Sequence, residues 1–196
     1  DLRGHGDSGW APDGSYGVSA HLADLRKIVQ TVRKAHPRLP VAVVGASLGG
    51  KVAMIGLGEE PDLAEILVLV DIAVTVEVGG GRRVREFMTS APRGFASLDE
   101  AADAVSAYKP GAPRARNVDG LRNNLRLRDG RWHWHWDPAV LGSQGSTESD
   151  APVSEEIRRR AALAARGVTC PVLLVRGKVS DVVSEAGVDE MRELIP

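Results

Sequence analysis

The sequence predicts an α/β fold: a doubly wound, mostly parallel sheet carrying an inserted helical cap. Three observations carry that expectation. Short, wholly apolar runs, Val41-Ala42-Val43-Val44, Ile66-Leu67-Val68-Leu69-Val70 and Val172-Leu173-Leu174-Val175, alternate with segments of helical periodicity. Runs of that kind suit strands covered on both faces by helices. A stretch from residue 75 to 152 interrupts the alternation, with glycines, short helical pieces and a cluster of tryptophans.

The elements follow in order. Residues 1–14 are rich in Gly, Asp, Ser and Pro and read as loop. Ser19 is placed to cap a helix running to His36, with Leu22, Leu25, Val29 and Val32 on one face. Pro37 and Pro40 end it, and the first strand follows. After Gly45-Ala46-Ser47-Leu48-Gly49, residues 50–58 are small, apolar and helix-compatible. The second strand ends at Asp71. Within 75–152, Gly79-Gly80-Gly81 reads as a hinge, 84–90 and 98–108 as short helices, and 132–136 as extended. Residues 142–150 read as a linker. A helix over 154–166, the third strand, a loop with Ser180-Asp181 and a helix over 184–194 complete the chain. The expected organisation is core 1–74, cap 75–152 and core 153–196. Both ends read as cuts within a larger domain, since Asp1 opens inside a turn and Pro196 directly follows a helix.

Composition narrows the function classes. Of 196 residues, 43% are hydrophobic, and the formal net charge is −1. Arg158-Arg159-Arg160 sits beside Glu155 and Glu156, which is a solvated helix face and not a nucleic-acid patch. No apolar run reaches the roughly 18 residues of a membrane span. The single cysteine, Cys170, excludes an internal disulfide framework and fits a reducing compartment. The expected location is therefore cytoplasmic, although a chain opening at Asp1 gives no signal peptide to read. Cys170 precedes a buried strand and reads as a structural thiol. The expected partner is a small-molecule substrate, with no nucleic acid and no membrane; oligomeric state is not legible.

The chemistry concentrates at Ser47. The pattern G-x-S-x-G is weakly specific alone, but here a buried strand ends before it and a small-residue helix begins after it. That is the setting of a nucleophile elbow. The flanking glycines permit close approach of strand and helix, and the helix N-terminus favours a developing anion. An ordinary strand–turn–helix junction is the bland alternative. The opening Gly4-His5-Gly6-Asp7-Ser8-Gly9 also satisfies G-x-G-x-x-G. No helix follows it, so it is not a dinucleotide site.

Asp1-Leu2-Arg3-Gly4-His5-Gly6-Asp7-Ser8 resembles a loop of many α/β-hydrolases, and Gly45–Gly50 resembles their elbow. Leu67–Asp71 is similar to the strand that follows, and Leu173–Gly177 with Ser180-Asp181 to their penultimate strand and acid loop. The cap phrases Phe87-Met88, Gly94–Leu98 and Trp134–Pro138 look like a subgroup labelled epoxide hydrolase or non-haem peroxidase. The resemblance implies a serine nucleophile, Ser47, with an acid at Asp181 and with Asp71 as the alternative. Asp181 also reads as a helix cap, a role Ser184 fills equally well. One oxyanion donor would be the Leu48 backbone N–H.

The histidine of such a triad comes after the last strand, and no histidine follows His135. His5 reads as structural, and His21 and His36 as surface positions. His133 and His135 share a face without an acidic or Cys partner, so neither a metal nor another cofactor is expected. Phe87, Met88, Tyr108, Trp134 and Trp136, together with Trp132, line either an acyl pocket or the core of the cap. The implied activity is hydrolysis of a small, largely apolar ester or lactone through an acyl-enzyme. Acyl transfer to peroxide is the first alternative, then epoxide hydrolysis, which normally needs a carboxylate nucleophile. A non-catalytic hydrolase-like binding protein is the last.

Overall fold

A computed structural model describes residues 1–108, 114–144 and 151–195. It contains a parallel three-stranded sheet in the order β1-β2-β5, formed by β1 (Ala42–Ala46), β2 (Ile66–Val70) and β5 (Val172–Val175). Around it lie α1 (Val18–Ala35), α2 (Ser47–Glu59), α5 (Ala151–Gly167) and α6 (Glu185–Leu194). The parallel sheet with helices is the predicted class.

The register places Val43, Gly45, Leu67, Leu69, Val172 and Leu174 on one face of the sheet. Leu67 and Leu69 on that face are buried with Met54, Ile55 and Leu57 of α2, Leu22 and Val29 of α1, and Ala161 and Ala165 of α5. Each such large side chain contributes about 1.5–3 kcal/mol when fully buried. The opposite face carries Val44, Ile66, Leu173 and Val175, which are 40–67% exposed. Among the described residues, the helices gather their apolar stripes on the first face.

Backbone contact sets the helix spacing. A Cβ on Gly58 would meet the Ala164 carbonyl oxygen at 1.9 Å, so α2 and α5 cross at main-chain distance. Arg160 of α5 holds Glu59 of α2 beside that crossing, at 2.6 Å.

Several local expectations change. Helix α1 begins after Gly17, which provides no side-chain cap; Ser19 lies inside the helix and accepts a hydrogen bond from Arg160. Gly79-Gly80-Gly81 is no hinge but the first turn of α3 (Val78–Thr89). A Cβ on Gly80 would meet the Asp181 carbonyl oxygen at 2.2 Å, so the missing side chain seats the helix there. His21 is 1% exposed and not a surface residue, because it faces the N-terminal loop across the α1 stripe. Residues 142–144 belong to a 3-10 turn (Pro138–Gln144), while the rest of the expected linker, 145–150, lies outside the described residues.

Between β2 and α5 stand α3, α4 (Leu98–Tyr108) and a hairpin of β3 (Leu125–Arg128) and β4 (Arg131–Trp134). The hairpin turn is Asp129-Gly130, both in the left-handed region at φ 49° and 75°. Asp-Gly between alternating Leu-Arg-Leu-Arg and Arg-Trp-His-Trp is a hairpin signal that the sequence carried and periodicity alone missed. The hairpin docks on the N-terminal loop: Gly6 N–H donates to the His135 carbonyl and Asp137 N–H to that of Gly4, each at 2.7 Å. Tyr16, buried below, donates its hydroxyl to Asp137.

Two glycine substitutions test this packing. Gly58→Ala forces the α2–α5 backbones apart and is expected to destabilise by about 1–3 kcal/mol in urea unfolding. Gly79→Ala meets nothing within 4 Å in a helix. It is expected to stabilise by up to about 1 kcal/mol in the same measurement.

Candidate active site

Ser47 begins α2 directly at the end of β1, with φ 47°, in the left-handed region. A serine there costs about 1–3 kcal/mol of backbone strain and persists only where its surroundings impose it. The imposing contacts are visible. A Cβ on Gly45 would meet the Gly49 carbonyl oxygen and Gly50 Cα at 2.6 Å. A Cβ on Gly50 would meet Ile72 Cγ2 at 2.5 Å. Both glycines are therefore required, and the chain between them turns too tightly for ordinary dihedrals. Ser47 is exposed, and its hydroxyl has no hydrogen-bond partner among the described residues.

The N-terminus of α2 has no side-chain cap. Its first N–H groups, Leu48 included, are open to an anion forming above them, where the helix dipole is favourable. The register pairs Ala46 with Val70, so Ser47 and Asp71 follow paired residues and leave the sheet at one edge.

Asp71 is the second strained residue, at φ 51°. Its N–H extends the ladder to the Val175 carbonyl at 2.8 Å. One carboxylate oxygen accepts from Gly177 N–H at 3.1 Å, the other from the Ser180 hydroxyl at 3.0 Å. Ser180 in turn accepts from Val182 and Val183 N–H. The Asp71 carboxylate is thereby fixed in orientation and retains acceptor capacity.

Asp181 stands differently. Its carboxylate is in an ion pair with Arg83 of α3 at 2.7 Å, and both side chains are well exposed, at 39% and 45%. It caps no helix; Ser184 caps α6, accepting from Gly187 N–H at 3.1 Å. The resemblance to α/β-hydrolases favours Asp181, which lies in the loop after the third strand. It does not register that Ser180, one residue earlier, bonds across to Asp71.

The aromatic candidates Phe87, Tyr108, Trp134 and Trp136 form one row of ring contacts between β2 and α5. Trp134 lies on Trp136 with centroids 4.9 Å apart and planes 8° from parallel. Phe87 meets Trp134 edge-on at 5.3 Å and stacks on Tyr108 at 4.4 Å. Phe95, which the sequence reading missed, also meets Trp134 edge-on. Trp132 lies beneath the Arg122 guanidinium, exchanges main-chain hydrogen bonds with Phe95, and packs against the same buried cluster as Trp134. Met88 follows Phe87 on α3, half-buried.

Histidines and cysteine fall elsewhere. His5 Nδ1 lies 3.0 Å from the Arg3 carbonyl oxygen. Burial holds the His21 imidazole below its ordinary value, with His5 and Arg3 adding to the effect. His135 is also held down, by burial and then by Arg126, and lies 3.9 Å from Asp7. Cys170 precedes β5, at the sheet edge opposite Ser47, and burial pushes its thiol up, away from the reactive thiolate. Among the described residues no group of three His, Cys, Asp or Glu could hold a metal ion. Among them, too, no helix is long and apolar enough to cross a membrane.

Depressed histidines have a consequence for stability. Below about pH 6.5, the ordinary value, the unfolded chain takes up protons that folded His21 refuses. Stability therefore rises with pH through this window and is lost as pH falls below it. The urea midpoint is expected to be lower at pH 5.5 than at pH 8, and His21→Gln to narrow that difference.

Comparison with known proteins agrees with this geometry. The family model for serine aminopeptidase, S33, matches residues 1–133. The esterase Rv0045c of Mycobacterium tuberculosis is 30% identical over 97% of this chain and 60% of its own length. The 2-(acetamidomethylene)succinate hydrolase of Mesorhizobium japonicum is 28% identical over 100% of this chain and 66% of its own. The chain thus spans about 60–66% of the length of these curated relatives. A crystal structure of E-2-(acetamidomethylene)succinate hydrolase superposes with a TM-score of 0.77 at 24% identity, over 100% of this chain and 69% of that one. By the family match, and by the strand–elbow–helix arrangement that agrees with it, the chain belongs to the S33 serine aminopeptidase family of the α/β-hydrolase superfamily.

Proposed function

We propose that the protein is a serine hydrolase of small carboxylic esters, with Ser47 as nucleophile and Asp71 as the acid of its triad. The observation that carries the reading is the strained, exposed serine at the uncapped N-terminus of α2, in register with a carboxylate fixed on the neighbouring strand. Ser47 Oγ attacks the ester carbonyl while an imidazole takes its proton. The oxyanion rests on Leu48 N–H, and the intermediate collapses as the imidazole returns the proton to the departing alcohol. Water, deprotonated by the same imidazole, then releases the acid and regenerates Ser47.

Asp71 is preferred over Asp181 for a physical reason. An orienting acid needs a fixed carboxylate with a free lone pair. Asp71 has its two supporting donors and, among the described residues, no ion-pair partner, whereas Asp181 is engaged by Arg83. None of the five histidines hydrogen-bonds Ser47, and in this reading the base is a histidine outside residues 1–196. The segment 75–152 acts as the lid, and its aromatic stack supports an acyl group with apolar character. That two relatives bear the names esterase and hydrolase supports the class.

In the full reading frame carrying this chain, a fluorophosphonate probe is expected to label the protein, and Ser47→Ala to abolish labelling. Retained labelling refutes the nucleophile. Asp71→Asn is expected to lower kcat by as much as about 10⁴-fold, measured on 4-nitrophenyl butyrate.

A further inference from the structure

Helix α3 carries three arginines with different surroundings. Arg82 lies 3.9 Å from Glu86 on the solvent side, and Arg85 donates to the Leu141 carbonyl at 2.9 Å. Arg83 turns to the loop after β5. Its guanidinium holds the Asp181 carboxylate at 2.7 Å and lies 5.5 Å over the Tyr108 ring. One turn along α3, Phe87 stacks on that same ring and begins the aromatic row through Trp134 to Trp136. The row thus has an apolar body and a cationic end.

The cationic end lies beside the catalytic edge of the sheet. Gly80 is seated on the Asp181 carbonyl, and Glu77 N–H donates to that of Val182 at 2.9 Å. The adjacent Ser180 holds Asp71, which follows the residue paired with the one before Ser47. A substrate extending from Ser47 past Asp71 and the loop after β5 would come to the Arg83 end of the row first, with the rings beyond it.

We propose that Arg83 is a specificity-determining residue that receives a free carboxylate of the substrate. The preferred ester is then an acidic monoester, whose acyl part ends in a second, unesterified carboxylate. This rests on the reading of Ser47 as nucleophile. Two features support it. The guanidinium is held beside Asp181 through one nitrogen, Nη2, at 2.7 Å, and its planar fork can take a carboxylate bidentately. Both partners are substantially exposed, and ion pairs of that exposure contribute little, so a substrate carboxylate displaces Asp181 at small cost. Asp181 then acts as an internal competitor that occupies the subsite in the free enzyme.

The test compares mono-4-nitrophenyl glutarate, anionic at neutral pH, with neutral 4-nitrophenyl butyrate, in the full reading frame. In Arg83→Gln the ratio of kcat/KM, anionic over neutral, is expected to fall about tenfold, with the loss in KM. In Asp181→Asn the same ratio is expected to rise severalfold, because the competitor is gone. Free glutarate should inhibit the unsubstituted protein competitively, a measurement that stands even where Arg83→Gln does not fold. The proposal is overturned by an unchanged ratio in Arg83→Gln, by a falling ratio in Asp181→Asn, or by absent glutarate inhibition. Turnover of both esters surviving in Ser47→Ala would instead remove the nucleophile reading.

Discussion

The site depends on the backbone contact between Gly45 and the turn Gly49-Gly50. These main chains approach so closely that any side chain on Gly45 would overlap the Gly49 carbonyl. Closing strand onto helix over so few residues leaves Ser47 no ordinary conformation, and its left-handed φ follows. The strain is maintained by the core beneath: Met54, Ile55 and Leu57 anchor α2 against Leu67 and Leu69, and their burial greatly exceeds the cost of one strained residue.

Parallel register carries that constraint to the second group. With Ala46 opposite Val70 and Val70 opposite Val175, three chain segments leave the sheet at one edge. Asp71 turns there with a second left-handed residue, and the loop after β5 closes around it through Gly177 and Ser180. Two strained residues on adjacent strands and a loop tied to one of them form a small rigid frame. The N–H groups of α2 point into the same region, uncapped.

The segment between β2 and α5 is coupled to this frame at two ends. At one, the hairpin of β3 and β4 exchanges main-chain hydrogen bonds with the loop of Gly4 and Gly6, over the buried Tyr16–Asp137 contact. At the other, the first turn of α3 rests on the loop after β5 because Gly80 has no side chain to prevent it. Between them runs the aromatic stack. The glycine run that reads as a hinge in sequence thus makes, at Gly80, a close contact in three dimensions.

How much was legible follows from the range of each interaction. The sequence by itself determined the three strands, the main helices, the elbow at Ser47 and the parallel class, because periodicity and glycine placement are local properties of the chain. It also held the Asp129-Gly130 turn, which periodicity alone passes over. Tertiary structure decided what depends on distant partners. It tied Asp71 to Ser180 across more than a hundred residues and engaged Asp181 with Arg83. It also buried His21 and left one face of the sheet open. Spacing along a strand tells where a carboxylate leaves the sheet; only packing tells which donors and cations meet it there.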